Sequence, residues 1–200
     1  MKTSLIKTFI FVVSILSAIS LKAQDYVITV KGDSIPCKVN KPLLGAYKYK
    51  TSAMNESVKI KPEEIKEYYF SKRKELYRSV FRDSTSYPVF MTVVEKGPIS
   101  LYQFIYTNYN GTTTTSTAVW YVGKNSDIVL ELKTTGLFLS EGKQSRKDAL
   151  ANMLADKKDI YDKYKAEDKF SFAQIRNIVH LYNTGKPWEK PEKQPDNAGQ

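Results

Sequence analysis

One histidine, one cysteine and scattered carboxylates limit the chemistry that this chain can carry. A soft-ligand zinc site needs four Cys or His side chains, or three and a water. His180 and Cys37 alone cannot supply it. No metal site and no cofactor is therefore expected. A Ser-His-Asp or Cys-His centre would have to use His180 or Cys37, and nothing around either residue resembles a nucleophile motif. His180 reads as a solvated residue on the polar side of the last helix, beside Arg176 and Asn177. Cys37, alone, reads as a small buried apolar residue. Glu63 and Glu64 are adjacent, so on a helical turn they point about 100° apart. Glu131 and Glu141 stand isolated in sequence. A carboxylate pair of the glycosidase kind converges only in space, so a small carboxylate-dependent hydrolase stays open as an alternative. Glycine-rich phosphate loops are absent. No catalytic residue is assigned.

The lysines are more informative. Lys48 and Lys50 alternate with Tyr47, Tyr49 and Thr51, and Lys59 and Lys61 alternate with Val58 and Ile60. Strict alternation gives one buried face and one wet face. If the two segments pair, Lys48, Lys50, Lys59 and Lys61 cluster on the wet face, and Lys72, Arg73, Lys74 and Arg78 can extend the patch. Such a face suits an anionic glycan or a lipid headgroup. The competing reading is a solubilising surface that discourages edge-to-edge sheet pairing. Tyr102, Phe104 and Tyr106 share one face of a strand and Leu101 and Ile105 the other, which predicts a strand covered on both sides. Asp33-Ser34-Ile35 and Asp83-Ser84-Thr85 resemble the short acceptor of protein O-glycosylation in exported Bacteroidota proteins; turn chemistry accounts for both sites equally well.

The elements that must position these residues read mostly as strands. Residues 25–31 and 34–40 flank Gly32-Asp33 as a β-hairpin. Pro36 has no N–H for a ladder, which places its strand at an edge or a bulge. Strands follow over 47–51 and 58–61, then one helical turn at Pro62-Glu63-Glu64-Ile65. Further strands cover 67–71, 76–81, 89–95, 99–106, 118–122 and 128–132, with a polar threonine turn near 108–115. Short connections in sequence order predict an antiparallel meander of about nine or ten strands. Helices come last. Ser145 and Asp148 form a capping box before Leu150, Met153 and Leu154. A second helical stretch holds Ile160, Tyr161 and Tyr164. Ser171 caps the final helix, Phe170 and Ile175 form a hydrophobic staple, and Ile175, Ile178, Val179 and Tyr182 make its apolar stripe. Gly185 and Pro187 stop it.

The chain opens with Lys2 and Lys7, an apolar run over 9–21 and a small residue at Ala23-Gln24. This is the three-part pattern of a cleaved secretory signal peptide. The run is too short for a transmembrane helix, which needs about 20 apolar residues. No cysteine follows it for lipid attachment. No transmembrane segment is expected after cleavage. Removing Lys2, Lys7 and Lys22 takes the formal net charge from +10 to +7. A basic exported domain meets anionic polysaccharide, a membrane surface or another envelope protein. Export makes nucleic acid the poorest partner.

The chain resembles a widespread group of uncharacterised exported proteins of Bacteroidota. The residues that carry the likeness are the Ala23-Gln24 cut, the hairpin Tyr26-Val27-Ile28-Thr29 with Gly32-Asp33-Ser34-Ile35, Pro62-Glu63-Glu64-Ile65-Lys66, Gly97-Pro98-Ile99-Ser100-Leu101-Tyr102, and a closing helix over 175–183. The resemblance implies a β-rich exported domain with C-terminal helices, and it implies no activity. Pro36 departs from the small residue or lysine expected after the apolar residue of that hairpin.

These observations predict a signal peptide over 1–23, a single α+β domain over 24–185 and a disordered tail over 186–200. Export to the periplasm, outer membrane or exterior follows. The expected function is a non-enzymatic binding or interaction module, with the small hydrolase and a structural partner of an outer-membrane assembly as alternatives.

Overall fold

The computed structural model describes residues 24–42, 45–136 and 141–190. Residues 1–23, expected from the sequence to be a signal peptide, and residues 191–200, in the expected tail, lie outside the described residues. The fold is α+β: antiparallel strands first, three helices last. The chain divides between Leu76 and Tyr77 into two compact units.

The first unit holds β1 (Tyr26–Thr29), β2 (Ser34–Pro36), β3 (Lys38–Asn40), β4 (Lys48–Lys50), β5 (Val58–Lys59) and β6 (Ile65–Phe70). β1 lies between β2 and β6. Gly32, at φ +95°, makes the turn between β1 and β2, and its N–H donates to the Thr29 carbonyl at 3.0 Å. Pro36 ends β2, an edge strand, as its missing N–H requires. The predicted strand 34–40 breaks at Cys37, whose N–H donates to the Asp25 carbonyl. The chain then enters a second sheet of order β3-β4-β5. This split raises the strand number to eleven. Val27, Val39, Ile60, Ile65, Tyr68 and Phe70 are buried, and the Tyr47 ring packs against Tyr68 and Phe70. The turn at 62–64 closes with an Ile65 N–H to Lys61 carbonyl bond.

The second unit, which begins within β7, holds the later part of the predicted meander. β7 (Glu75–Val80), β8 (Val89–Glu95), β9 (Ile99–Tyr109), β10 (Thr114–Lys124) and β11 (Leu130–Thr134) pair in sequence order. β9 and β10 are longer than predicted: the threonines at 114–115 are strand, and the turn shrinks to 110–113. α1 (Lys143–Leu154), α2 (Lys158–Glu167) and α3 (Phe172–Thr184) follow. Ile99, Leu101, Val122 and Leu132 on one sheet face form a single core with Leu150, Leu154, Ile160, Tyr164, Ile175, Ile178, Val179 and Tyr182. Val80, Met91, Tyr102, Val119, Tyr121 and Val129 form the other face's cluster. The Tyr102 row is core only at its start. Tyr102 is buried, Phe104 half-buried and Tyr106 exposed.

Helix ends show where local signals decide. The Ser171 hydroxyl accepts from the Gln174 N–H at 3.1 Å, and Gly185, at φ +75°, terminates α3. The Ser145 box does not form. α1 begins three residues earlier with Gly142 at its N-cap, and the Ser145 hydroxyl donates to Glu141 instead.

Asn183 fastens α3 to β9. Its Oδ1 accepts from the Ile99 N–H at 3.1 Å and its Nδ2 donates to the Ile99 carbonyl at 2.7 Å. A Cβ at Gly97 would overlap this side chain. Asn183→Leu leaves both backbone groups unpaired. It should lower the unfolding free energy by about 2 kcal/mol, measured by urea denaturation.

Candidate functional site

The first unit concentrates basic side chains by register. In the β3-β4-β5 sheet, Lys38 lies directly opposite Lys50, and Lys48 directly opposite Lys59. Tyr49 sits opposite both Val39 and Val58. Alternation puts Lys38, Asn40, Lys48, Lys50 and Lys59 on one face, and all five are exposed. Val39, on the other face, is buried. Directly opposed like charges destabilise a strand pair. This small sheet carries two such pairs. Among the described residues no acid pairs with Lys38, Lys48 or Lys59. Lys50 finds partial relief, its ammonium donating to the Asn55 carbonyl at 2.6 Å.

Three of the four lysines singled out in the sequence are thus gathered. Lys61 is not: it forms an exposed ion pair with Glu64 at 2.7 Å. Lys38 takes its place. Arg78 is committed elsewhere, to Asp127 at 2.8 Å.

Next to this face is an open cavity of about 710 Å³ lined by Asp25, Lys38, Lys41, Ser71, Lys72 and Arg73. Lys38 and Asn40 also line a second cavity, of about 540 Å³, with Lys50 and Gln24. Lys72 and Arg73 thus line the same cavity as Lys38. The hub is Asp25, which is buried. One carboxylate oxygen accepts from the Val39 N–H at 2.7 Å; the other accepts from the Ser71 N–H at 2.7 Å and the Ser71 hydroxyl at 2.5 Å. It ties β3 and the loop after β6 to the start of β1. Cys37 beside it is buried, and burial followed by the Asp25 charge pushes its thiol up to about 11. A buried thiol held in that direction is a poor nucleophile.

Two groupings in the second unit were not legible in the sequence. Glu131 and Glu141 line one cavity of about 510 Å³ with Arg82, Asp83 and Tyr121. The Tyr121 hydroxyl lies 3.0 Å from that of Tyr106 and 3.5 Å from Glu131 Oε1, and Arg82 donates to Tyr106 at 3.2 Å. Burial, then the Tyr106 hydrogen bond, holds the Tyr121 phenol above its usual range. The second grouping corrects the reading of His180. It is not a solvated helix-face residue, because its Nδ1 lies 2.7 Å from Glu95 Oε1 and links α3 to β8. Arg176 approaches the same carboxylate at 3.7 Å and carries the Trp188 ring 4.6 Å below its guanidinium. The Trp188 N–H donates to Asn177 Oδ1 at 2.8 Å. The segment after α3 therefore docks through Trp188, where the sequence suggested that nothing past 185 packs.

Among the described residues, no group of three or more His, Cys, Asp or Glu is placed to hold a metal ion, and no helix is long and apolar enough to cross a membrane. Ser34 and Ser84 are exposed, and Asp83 Oδ1 accepts from both the N–H and the hydroxyl of Thr85 in a local turn. No family model, curated protein or solved structure matches the chain.

Proposed function

We propose that this is an exported, non-enzymatic binding module whose β3-β4-β5 face and adjoining cavity hold an anionic glycan of the envelope or the extracellular space. The observation that carries the reading is the pair of directly opposed lysine couples, Lys38 with Lys50 and Lys48 with Lys59. Opposed ammonium groups cost stability in the free protein. A polyanion lying across them removes that repulsion and gains from all of them jointly, since strand spacings of about 5–7 Å fall within a Debye length. Lys41, Lys72 and Arg73 supply further cations at the cavity wall. A repeating anionic polymer matches such a row better than a single small anion does. The signal pattern at 1–23 and the resemblance to exported Bacteroidota proteins support the compartment.

Binding to immobilised uronic-acid or sulfated polysaccharide tests this, with a neutral polysaccharide and vesicles of anionic phospholipid as the contrasting surfaces. Retention on the anionic polysaccharide at low salt, released by added salt, is the expected result. Retention on vesicles alone would assign the face to a lipid headgroup and overturn the glycan reading. A second reading, the carboxylate-dependent hydrolase, draws on the convergence of Glu131 and Glu141 on one cavity. New reducing ends from the same polysaccharides, abolished by Glu131→Gln, would establish it in place of a pure binding role.

A further inference from the structure

β9 and β10 outrun their neighbours. The register of β8 on β9 ends at the Thr92–Gln103 pair, and that of β11 on β10 at the Thr134–Val119 pair. Thr135 still bonds both backbone groups of Ala118, and Gly136 lies against Thr117; past them, among the described residues, β9 and β10 pair only with each other, out to Thr114 opposite Tyr109. The result is a two-stranded arm over residues 105–117. Its surface is open: Ile105 is 55% exposed, Tyr109 71% and Tyr106 38%. The tip is fixed. Asn110 Oδ1 accepts from the N–H groups and hydroxyls of Thr112 and Thr113, the Tyr109 hydroxyl donates to the Gly111 carbonyl, and Gly111 takes φ +90°.

The arm's own residues include none of the charges or prolines that normally blunt a sheet edge. Exposed strand edges invite pairing, and proteins protect them with lysine, proline or inward charges. This chain uses those devices elsewhere, with Pro36 on β2 and lysines on β3, β4 and β5. Over residues 97–123 there is no Asp, Glu, Lys or Arg and no proline but Pro98. The exposed part is tyrosine, threonine, serine, asparagine and isoleucine. Tyrosine anchors with small polar neighbours are the composition of protein-binding loops, since they give area at low entropic cost.

We infer that this arm is a homodimerisation element, pairing edge to edge with the same arm of a second copy about a twofold axis. Charge selects that occupant. The chain has a formal net charge of +10, or +7 without Lys2, Lys7 and Lys22, so two copies repel. The arm beyond Tyr106, whose hydroxyl accepts from Arg82, is an exposed stretch where they can meet without like charges opposed. A twofold strand pairing is self-complementary and closes on itself. The ordered tip means that little conformational entropy is lost on docking.

Sedimentation velocity of the mature chain, from micromolar to hundreds of micromolar, tests the inference. A dimer is expected. Thr107 and Thr115 are exposed and lie on opposite faces of the arm. The double variant Thr107→Lys with Thr115→Lys should weaken self-association about tenfold or more, because each face then opposes like charges across the pairing. The double variant Thr107→Glu with Thr115→Glu should do the same, and an equimolar mixture of the two should recover the dimer. A monomer throughout the range, a dimer that both variants retain, or two folded monomeric variants that fail to pair when mixed would each overturn it.

Discussion

Raising the pH well above 10 should unfold both units of this protein. The cause is buried phenol. Tyr68, Tyr121 and Tyr164 are 1–3% exposed. Burial is the largest influence on each; it holds Tyr164 at about 12 and Tyr68 and Tyr121 higher still. In the unfolded chain all three titrate near 10. The folded state therefore keeps protons that the unfolded state releases. Stability is complete below pH 10 and falls as pH rises towards the folded values, by about 1.4 kcal/mol per pH unit for each tyrosine. By pH 12 the three together remove about 8 kcal/mol, which is comparable to the whole stability of an ordinary domain. Circular dichroism and phenolate absorbance followed together should show the late tyrosines ionising only as the fold is lost. Ionisation of all fourteen tyrosines near pH 10 with the fold intact would contradict the burial.

Asp25→Ala should be the most damaging single substitution in the first unit. It removes the acceptor of three hydrogen bonds, two of them from the backbone N–H groups of Val39 and Ser71. Val39 is 2% exposed, so its N–H gains little water in exchange. Bonds to a charged acceptor are the stronger kind, and orphaned donors cost the full desolvation penalty, giving a loss of about 3–5 kcal/mol. Amide hydrogen exchange at Val39 and Ser71 should accelerate along with the fall in stability. Asp25→Asn keeps one acceptor oxygen and should fall between.

Local signals were legible in the sequence and long-range ones were not. Gly32 between two β-rich runs, Ser171 three residues before Gln174, and Gly185 after the last apolar residue each act within one turn of chain. Each appears in the structure where the sequence placed it. The meander was legible for the same reason, since its strands pair with their sequence neighbours. The strand over 34–40 was read as continuous because a sheet change leaves alternation intact: Ile35, Cys37 and Val39 keep one period while the chain moves from β2 to β3. That hid Lys38 from the lysine face. Lys61 was grouped with the others on alternation, although Glu64 three residues on is a local partner. The threonine run was read as a turn because its residues are polar, yet a two-stranded arm with no buried face needs no apolar alternation. His180 and Glu95 stand 85 positions apart, and only the packing of α3 on β8 joins them.

The salt dependence of polyanion binding tests the proposed function most directly. Affinity of the mature chain for an anionic polysaccharide should fall steeply as salt rises, because several ammonium groups release bound counterions together. Changing Lys38, Lys48, Lys50 and Lys59 to Gln touches no buried group and relieves two like-charge pairs, so the fold should hold or gain slightly. That variant should bind more than tenfold more weakly at low salt and show a visibly flatter salt slope. Lys61→Gln, which breaks only the exposed pair with Glu64, should change neither. Unaltered affinity and slope in the four-lysine variant would show that the face only keeps the protein soluble, and would contradict the proposal.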